Sequence, residues 1–395
     1  MIRPFFNFSH FSAGLTTVLI GYTSSVAIII QAATAAGANA EQIISWLTAL
    51  GFSMGITTIG LSYRYKLPIL TAWSTPGAAM LIGIASGHTL PELTGAFMVT
   101  GIFIVLTGFI RPLCRLIEGI PTPLATAMLG AIVLPFCVKA FLPLTDDTGL
   151  FATMFMCFVV CKRFCPSFTM SALLMVGISY VILNGQTIDT IDFSIAKLTW
   201  VTPEWRLATL INVSIPLYIV VMLSQNLPGI TMSKSYGYLT PIKPILISTG
   251  VVNMALAPAG GFSLNLAAIS ASVCMNKHVD ADKNQRYKAA IWAGVFYMIA
   301  GLWAAAVVTL FLSLPSTLMA MLAGLALLGT LLLCLQSAFN DTPSNAPYQE
   351  AALITLLVGL SNITFLGVNA IMWGLIVGLS YFWSQQKWGH KKSSP

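Results

Sequence analysis

Long apolar runs alternate with short polar intervals along almost the whole chain. Runs of 18 or more apolar residues are typical of membrane-spanning helices, since about 20 residues are needed to cross the hydrocarbon core. The pattern predicts fourteen apolar segments, some of them too short to span alone: 12–36, 42–62, 73–87, 93–110, 120–138, 148–161, 167–184, 209–227, 243–256, 263–275, 289–312, 317–338, 347–362 and 365–383. We therefore expect an all-α polytopic membrane protein.

A long polar interval, residues 185–208, divides the fourteen segments into two groups of seven. Since seven is odd, the second group enters the membrane from the opposite side, as in transporters built from inverted repeats. A shift of 194 positions places Gln31 on Gln225 and IPTPLATAMLG on LPSTLMAMLAG. With a gap of five residues, TAWSTPGAAM (71–80) overlies GGFSLNLAAI (260–269). The sequence thus predicts a 7+7 inverted repeat.

The third and tenth segments are too short to cross a bilayer. A 15-residue helix covers about 22 Å, whereas the hydrocarbon core is about 30 Å thick. Thr75 is a candidate N-cap followed by Pro76 in the first turn, and Ser263 or Asn265 is a candidate N-cap in the tenth segment. We expect two half-helices that start near the middle of the bilayer, each after a short extended strand (KLPIL and LAPAG). The alternative is an ordinary span kinked at Pro76.

Two facing half-helix starts favour an anionic solute. Helix N-termini carry unpaired amides and a partial positive charge, and both features attract anions. All twelve acidic residues fall outside the predicted segments or at their ends, and no basic residue or histidine lies in the middle of one. Since a carrier of cations is expected to bury a carboxylate, the pattern disfavours a cationic substrate.

Uncharged polar and aromatic side chains gather on four of the predicted segments. An unpaired amide in hydrocarbon costs on the order of 2–7 kcal/mol, so several of them on facing segments indicate a binding site or interhelical hydrogen bonds. The aromatic rings are either walls of such a site or ordinary core and lipid-facing residues. The candidate substrate-binding residues are Gln31, Trp73, Ser74, Thr75, Gln225, Asn226, Phe262, Ser263 and Asn265, with Tyr22 as a further wall.

Composition and charge agree with a membrane protein. The chain is 57% hydrophobic and only 8% charged, whereas soluble domains are about 25% charged. Sixteen of the nineteen basic residues fall on one side of the predicted segments, and Lys139, Lys197 and Arg206 fall on the other. The positive-inside rule then predicts cytoplasmic N- and C-termini. The net charge of +7 is explained by orientation, so we expect no nucleic-acid partner.

The start of the chain and its cysteines predict no processing or metal chemistry. Residues 1–15 lack a small-residue cleavage site with polar flanks, so we expect the first helix to be retained. The seven cysteines lie mostly in apolar runs without paired spacing or accompanying metal ligands, so we expect no disulfide framework, metal or cofactor. An intramembrane enzyme would need a cluster of histidines, acids or a metal in the bilayer, and the sequence disfavours that reading.

Three motifs resemble one transporter family over essentially the whole chain. SQNLPG in the eighth segment, APAGGFSLNLAAI in the tenth and LPILTAWSTPGAAM in the third are similar to the benzoate membrane transport (BenE-type) family. The family is similar in fold to uracil permeases and sulfate-type anion transporters. The resemblance implies a core domain (residues 1–116 and 187–312) and a gate domain (117–186 and 313–395), with substrate between segments 1, 3, 8 and 10. It further implies the cell inner membrane and a homodimer formed through the gate domains.

The resemblance also bears on the substrate. Gln225 and Leu264 stand where nucleobase permeases keep two glutamates, and Asn265 matches their asparagine. Without those acids a uracil-like substrate is disfavoured and a carboxylate is better tolerated. The family implies proton-coupled symport of benzoate or a related aromatic carboxylate by alternating access, and the substrate carboxylate itself is then a candidate proton carrier. Another anion, a nucleobase-like solute and a passive channel remain the alternatives.

Overall fold

The computed structural model describes residues 7–85, 87–110, 112, 119–185, 190–267, 269–340, 346–361 and 363–392. Across these residues the chain is mostly helical, and eight of its helices are long and apolar enough to cross a membrane. A ninth span results if one bent pair of helices is counted as a single crossing. The expected helical, polytopic membrane fold is confirmed, whereas the count of fourteen segments stays a prediction.

Both halves of the chain place a short strand after their second long helix. The elements of the first half are α1 (Phe8–Ala35), α2 (Ala40–Tyr65), β1 (Thr71–Trp73), α3 (Thr75–Ile84), α4 (Leu90–Phe109), α5 (Thr122–Lys139), α6 (Pro143–Asp146), α7 (Thr148–Phe164) and α8 (Thr169–Leu183). The second half contains α9 (Leu207–Ser235), α10 (Ile242–Leu256), β2 (Leu264–Leu266), α11 (Ile269–Met275), α12 (Tyr287–Leu302), α13 (Ala304–Leu312), α14 (Ser316–Ala338), α15 (Ala346–Leu360) and α16 (Ala370–Lys392).

Glycines allow helices of the two halves to pack backbone against backbone. A Cβ atom added to Gly51 of α2 would lie 2.7 Å from the Cα of Gly301 on α12. In the same way, a Cβ on Gly101 of α4 would lie 2.9 Å from the carbonyl oxygen of Gly250 on α10. Small residues are the usual means of close helix packing in membranes, where no hydrophobic effect drives helices together. The pairs α2–α12 and α4–α10 therefore join the two halves tightly.

The strands β1 and β2 form a two-stranded antiparallel sheet at the centre of this arrangement. Thr71 lies opposite Leu266, and Trp73 lies opposite Leu264. The hydroxyl groups of Thr57 and Thr58 on α2 lie 2.6 and 2.8 Å from that of Thr71, so side chains bond the strand's edge. Irregular backbone in a membrane protein needs such protein partners because hydrocarbon offers none.

The two half-helices follow the strands, but not at the residues expected from the sequence. Ser74, rather than Thr75, is the N-cap of α3, because its Oγ accepts the amide hydrogen of Gly77 at 3.0 Å. The helix α3 has ten residues, and Pro76 lies in its first turn as expected. The short length of the third segment is thereby confirmed.

The lead of the tenth segment differs more. LAPAG was expected to be extended, yet Ala257–Ala259 form a 3-10 turn that ends at Gly260, whose φ of 97° suits glycine. The strand comes later, at Leu264–Leu266, and α11 begins only at Ile269. Asn265 therefore lies within the strand and does not cap the helix. The strand-before-helix order is confirmed, but the expected leads were placed too early in both segments.

The helix α9 remains continuous through the SQNLPG motif. The predicted eighth segment ends at residue 227, but the helix continues through Pro228 to Ser235, with a π-helical turn over Met222–Asn226 just before the proline. A second π turn, Leu210–Ser214, precedes Pro216. A proline ring clashes with the carbonyl four residues earlier in an α-helix, and the wider π turn relieves that clash. By contrast, the predicted single segment 289–312 bends by 60° between α12 and α13.

Candidate functional site

A cavity of about 340 Å³ lies where β1, the start of α3 and the π turn Met222–Asn226 of α9 meet α1 and α14. We call it the Trp73 cavity. Its walls come from both halves of the chain, which places it at their junction. The residues that line it are Ile20, Gly21, Ser24, Ser25, Met54, Ala72, Trp73, Thr75, Pro76, Gln225, Ala267, Ser270, Tyr297, Ala326, Leu327, Gly329, Thr330 and Leu333.

Trp73 supplies the flat wall of this cavity. It is the last residue of β1, and its indole Nε1 donates a hydrogen bond of 2.7 Å to Ser25 Oγ on α1. Its ring centroid lies 5.0 Å from that of Tyr22, one turn before Ser25 on α1. Tyr22 therefore supports Trp73 from behind and is not among the residues that line the cavity. Such a fixed ring can stack against an aromatic ligand.

Gln225 supplies the one side-chain amide among the described residues that line the cavity. Its half-buried side chain lines the wall and forms no hydrogen bond with the described residues. The adjacent Asn226 is fully buried and turned toward β2, where its Oδ1 accepts the amide hydrogen of Leu266 at 3.0 Å. The two amides of SQNLPG thus have different partners, since Gln225 lines the cavity and Asn226 bonds the strand β2.

The first turn of α3 faces the same cavity through Thr75 and Pro76. Ser74 is fully buried and occupied as the N-cap, so Thr75 presents the hydroxyl group at this wall. The N-terminal end of a helix carries a partial positive charge. The first turn of α3 therefore brings partial positive charge to this wall, and Gln225 adds a neutral side-chain amide.

Two other residues predicted from the sequence lie away from the cavity. Gln31 donates a hydrogen bond of 3.1 Å from its Nε2 to the carbonyl oxygen of Met319, which joins α1 to α14. Phe262 is completely buried, and its ring centroid lies 5.2 Å from that of Trp46 and 5.3 Å from that of Phe97. The structure gives both residues packing partners inside the protein.

The remaining predicted residues surround β2 and are buried. Ser263 has a φ of 49°, and its Oγ has no hydrogen-bond partner among the described residues. Leu264 pairs with Trp73 across the sheet. Asn265 pairs with Ala72, and its Nδ2 donates to the carbonyl oxygen of Ser263 at 2.8 Å. None of these three residues is among those that line the cavity. Their assignment to the substrate stays a prediction.

Several polar residues of the cavity were missed by the sequence reading. Tyr297 on α12 is almost fully buried, and its hydroxyl group hydrogen-bonds the side chain of Ser270 on α11. Ser24 and Ser25 on α1 and Thr330 on α14 add further hydroxyl groups. Single serines, threonines and tyrosines are common in apolar spans, so only the packing of α1, α11, α12 and α14 singles them out.

None of the described residues that line the Trp73 cavity carries a charge. Two ionic clusters lie elsewhere among the described residues, one of them buried and the other partly exposed. His10 Nε2 is 3.0 Å from Asp280 Oδ2, where the start of α1 meets the segment after α11. Arg206 donates a hydrogen bond of 3.1 Å to Glu92 where α4 and α9 begin. A solute in the cavity therefore meets dipoles and hydroxyl groups but no counter-ion.

Solved structures of anion transporters share the overall fold. The transmembrane domain of the cyanobacterial bicarbonate transporter BicA superposes with a TM-score of 0.62 at 14% identity, covering 95% of this chain and 96% of that one. The murine Slc26a9 anion transporter in its inward-facing state gives a TM-score of 0.63 at 12% identity, covering 95% of this chain and 68% of that one. At such low identity the likeness concerns the fold alone.

Sequence comparison finds much closer relatives. The profile of the BenE family, described as benzoate membrane transport protein, matches residues 4–383. The inner membrane protein YdcO of Escherichia coli (strain K12) is 41% identical over 367 residues, 93% of either chain. The benzoate membrane transport protein of Acinetobacter baylyi is 36% identical over 373 residues, covering 94% of this chain and 93% of that one. The resemblance carried by the three motifs is thereby confirmed.

Proposed function

Because the chain belongs to the benzoate membrane transport family, we propose that it carries benzoate or a related aromatic carboxylate across the membrane. It is a multi-pass membrane transport protein, and its relatives are named as membrane or transport proteins rather than enzymes. The observation that carries the proposed substrate class is the Trp73 cavity, in which a fixed indole ring stands beside uncharged hydrogen-bond donors.

In this proposal the two parts of the substrate use different walls. The aromatic ring packs against Trp73 and the apolar side chains of Ile20 and Met54, since offset or edge-on ring contacts add to apolar burial. The carboxylate accepts hydrogen bonds from Gln225 and Thr75 at the positive end of α3. Hydrogen bonds to an ionised acceptor are about twice as strong as neutral ones, so uncharged donors suffice to orient the substrate.

Another anion is the second candidate, because the fold is shared with anion transporters. A small inorganic anion needs only the donors, whereas the indole wall adds affinity for an aromatic ring alone. A nucleobase-like solute presents N–H groups and calls for acceptors, yet no carboxylate lines the described part of the cavity. The contribution of Trp73 to substrate affinity therefore distinguishes an aromatic carboxylate from a small inorganic anion.

We propose that transport proceeds by alternating access in a 7+7 inverted repeat. The antiparallel pairing of β1 with β2 supports this repeat, as does the shared order of helices, strand and short helix in each half. The core domain (residues 1–116 and 187–312) then carries the strands and half-helices. The gate domain (117–186 and 313–395) contributes α14 as the facing wall. Site residues at a repeat interface are typical of such carriers.

We propose symport with a proton that the substrate itself carries. No acid or histidine lines the described Trp73 cavity, so protonation of the substrate carboxylate is the direct way to move both together. The charge asymmetry of the polar intervals supports cytoplasmic termini in the cell inner membrane. Pairing of gate domains into a homodimer is part of the same proposal. A variant that lacks all four histidines (His10, His88, His278 and His390) should keep proton coupling.

Uptake of labelled benzoate into proteoliposomes tests this function. We expect uptake that an inward proton gradient accelerates, that unlabelled benzoate inhibits, and that sulfate and uracil leave unchanged. Counterflow driven by unlabelled benzoate inside the liposomes distinguishes a carrier from a passive channel. A carrier exchanges internal unlabelled benzoate for external labelled benzoate and so accumulates the label, whereas a channel does not. Inhibition by sulfate in place of benzoate would transfer the function to another anion, and saturable uptake without counterflow would favour the channel.

A further inference from the structure

A second cavity lies beyond the far end of α3. It has a volume of about 580 Å³ and is lined by the C-terminal parts of α3 and α5, the start of α9, residues 359–360 and 363–364, and residues 369–371. We call it the Lys139 cavity after the basic residue at the end of α5 that lines it. Thr75 and Pro76 line the Trp73 cavity, whereas Ala79, Met80 and 82–84 line this one. The two cavities are therefore displaced by roughly 5–14 Å along one helix.

The lining of this cavity combines apolar walls with positive charge. Phe136 of α5, Met80 of α3 and Ile371 of α16 provide part of its apolar surface, while Lys139 and His88 provide basic groups. No Asp or Glu occurs among the described residues that line it. The exposed Lys139 also forms no ion pair with a described residue. Such a lining suits a small apolar ring that bears one negative charge.

Two asparagines give the cavity directed hydrogen-bonding groups. Asn212 of α9 and Asn369, which precedes α16, both line it. Asn369 Nδ2 donates to the carbonyl oxygen of Asn212 at 2.7 Å, and the Asn369 amide donates to Asn212 Oδ1 at 3.1 Å. Asn212 Nδ2 in turn donates to the carbonyl oxygen of Gly367. These reciprocal bonds connect two elements that our proposed domains assign to core and gate.

A nearby acid does not cancel the positive charge of the cavity. Glu92 at the start of α4 is buried, and its carboxylate is bonded by Arg206 and by the hydroxyl group of Thr209. His88 contacts the same hydroxyl group, with its Nδ1 2.9 Å from Thr209 Oγ1. Glu92 is thus paired with Arg206 and lies 3.5 Å from His88 Nδ1, and it forms no ion pair with Lys139.

We propose that the Lys139 cavity is a second, weaker binding site for the same aromatic monocarboxylate, with Lys139 as its counter-ion. The inference rests on the proposed function for the identity of the ligand. In the proposed orientation Lys139 belongs to the side that has only three basic residues, which is the side from which an imported solute arrives. The site binds the substrate on that side before the substrate moves past α3. The substrate's carboxylate then competes for the amide hydrogens that join Asn212 of α9 to Asn369.

Equilibrium binding of radiolabelled benzoate to the full-length protein in lipid nanodiscs tests the second site. We expect two classes of sites in the wild type. Lys139→Gln should weaken only the weaker class, by up to about fivefold, the upper end of the range for an exposed ion pair. Added salt should weaken the same class because it screens an exposed charge. Lys139→Arg should retain it. Gln225→Ala should weaken only the tighter class.

Lys197→Gln is the matched control, because Lys197 is an exposed lysine on the same predicted side that lines neither cavity. It should leave both classes unchanged. A single class of sites in the wild type, or two classes that Lys139→Gln leaves intact, would overturn the inference while leaving the proposed function standing. Binding of no benzoate at all would refute the proposed function instead. Retention of the tighter class in Lys139→Gln shows at once that the variant is folded.

Discussion

The two strand-and-helix units, β1–α3 and β2–α11, resemble each other in order but differ in how they use their polar residues. In the first unit, Trp73 and Thr75 face the Trp73 cavity and Ser74 caps the helix. In the second unit, Ser263 and Asn265 are fully buried around the strand, away from the residues that line that cavity. Of the described residues of the second unit, which leave out residue 268, Ala267 and Ser270 alone line the cavity.

This difference teaches that an inverted repeat need not give a symmetric site. The first unit presents its side chains to the solute, while the second supplies the partner strand that fixes the position of the first. Residues that align between the two units, such as Trp73 with Phe262 and Ser74 with Ser263, are therefore expected to respond differently to substitution. The four tests below compare residues that are aligned between the units or adjacent in the chain, from the largest expected effect to the smallest.

Phe262→Ala should have the largest effect and should act on stability. The ring is completely buried against Trp46 and Phe97, and removal of such a ring costs about 3–5 kcal/mol. Thermal unfolding in detergent measures the loss. The aligned Trp73→Phe should unfold near the wild-type temperature yet take up benzoate more weakly, since the indole donor to Ser25 is lost. Equal destabilisation of both variants would remove the proposed contrast.

Gln225→Ala should reduce transport without loss of stability. A hydrogen bond to a charged group contributes about 1.5–3 kcal/mol, so the ratio kcat/KM for benzoate should fall by tenfold or more. Initial uptake rates over a range of benzoate concentrations measure it. Asn226→Ala is the adjacent control, and it should lower the unfolding temperature because the buried amide of Leu266 loses its acceptor. Normal uptake by Gln225→Ala would assign Gln225 to packing.

Ser74→Ala should destabilise the start of α3. The side chain satisfies the Gly77 amide, and removal of such a cap costs about 1 kcal/mol. We expect a modest fall in unfolding temperature together with weaker benzoate uptake, because Thr75 sits in the turn that the cap holds. Ser74→Thr keeps a capping oxygen and should restore most of both quantities. An unchanged unfolding temperature would show that water or a neighbour replaces the cap.

Ser263→Gly should have the smallest effect and the opposite sign. Ser263 has a φ of 49°, a conformation that glycine adopts without steric cost, and its buried hydroxyl has no partner among the described residues. Removal of the strained φ and of the unpartnered hydroxyl group should leave the free energy of unfolding unchanged or raise it by less than about 1 kcal/mol. Thermal unfolding beside Ser74→Ala measures the difference. A clear loss of stability would reveal that the Ser263 hydroxyl bonds a buried group after all.

Much of the fold could be predicted from the sequence because hydropathy constrains membrane proteins strongly. The long helices follow the apolar runs closely, and the proline-glycine pair at 76–77 marked a short helix as expected. The motif SQNLPG pointed to a cavity-lining amide at Gln225. In each case a local pattern sets the structure, either through the length of an apolar run or through the chemistry of a helix start.

The rest depends on contacts between distant segments, which no local pattern encodes. The alignment of GGFSLNLAAI with TAWSTPGAAM placed Ser263 and Asn265 at a helix start, but pairing with β1 draws Leu264–Leu266 into a strand. The eighth segment, expected to end at residue 227, continues through Pro228 because a π turn before the proline absorbs one extra residue. The contribution of Tyr297 and Ser270 arises only from the packing of α11 and α12 around the cavity.

The short sheet also bears on how the protein is made. Leu266 follows its partner Thr71 by 195 residues, and ribosomes add about 5–20 residues per second. The first strand is therefore synthesised about 10–40 s before its partner exists, with its remaining backbone groups inside the bilayer or the insertion machinery. Until then Thr57 and Thr58 of the preceding helix are the groups at hand to shield it. The two-stranded sheet can therefore form only after the second half of the chain has been synthesised.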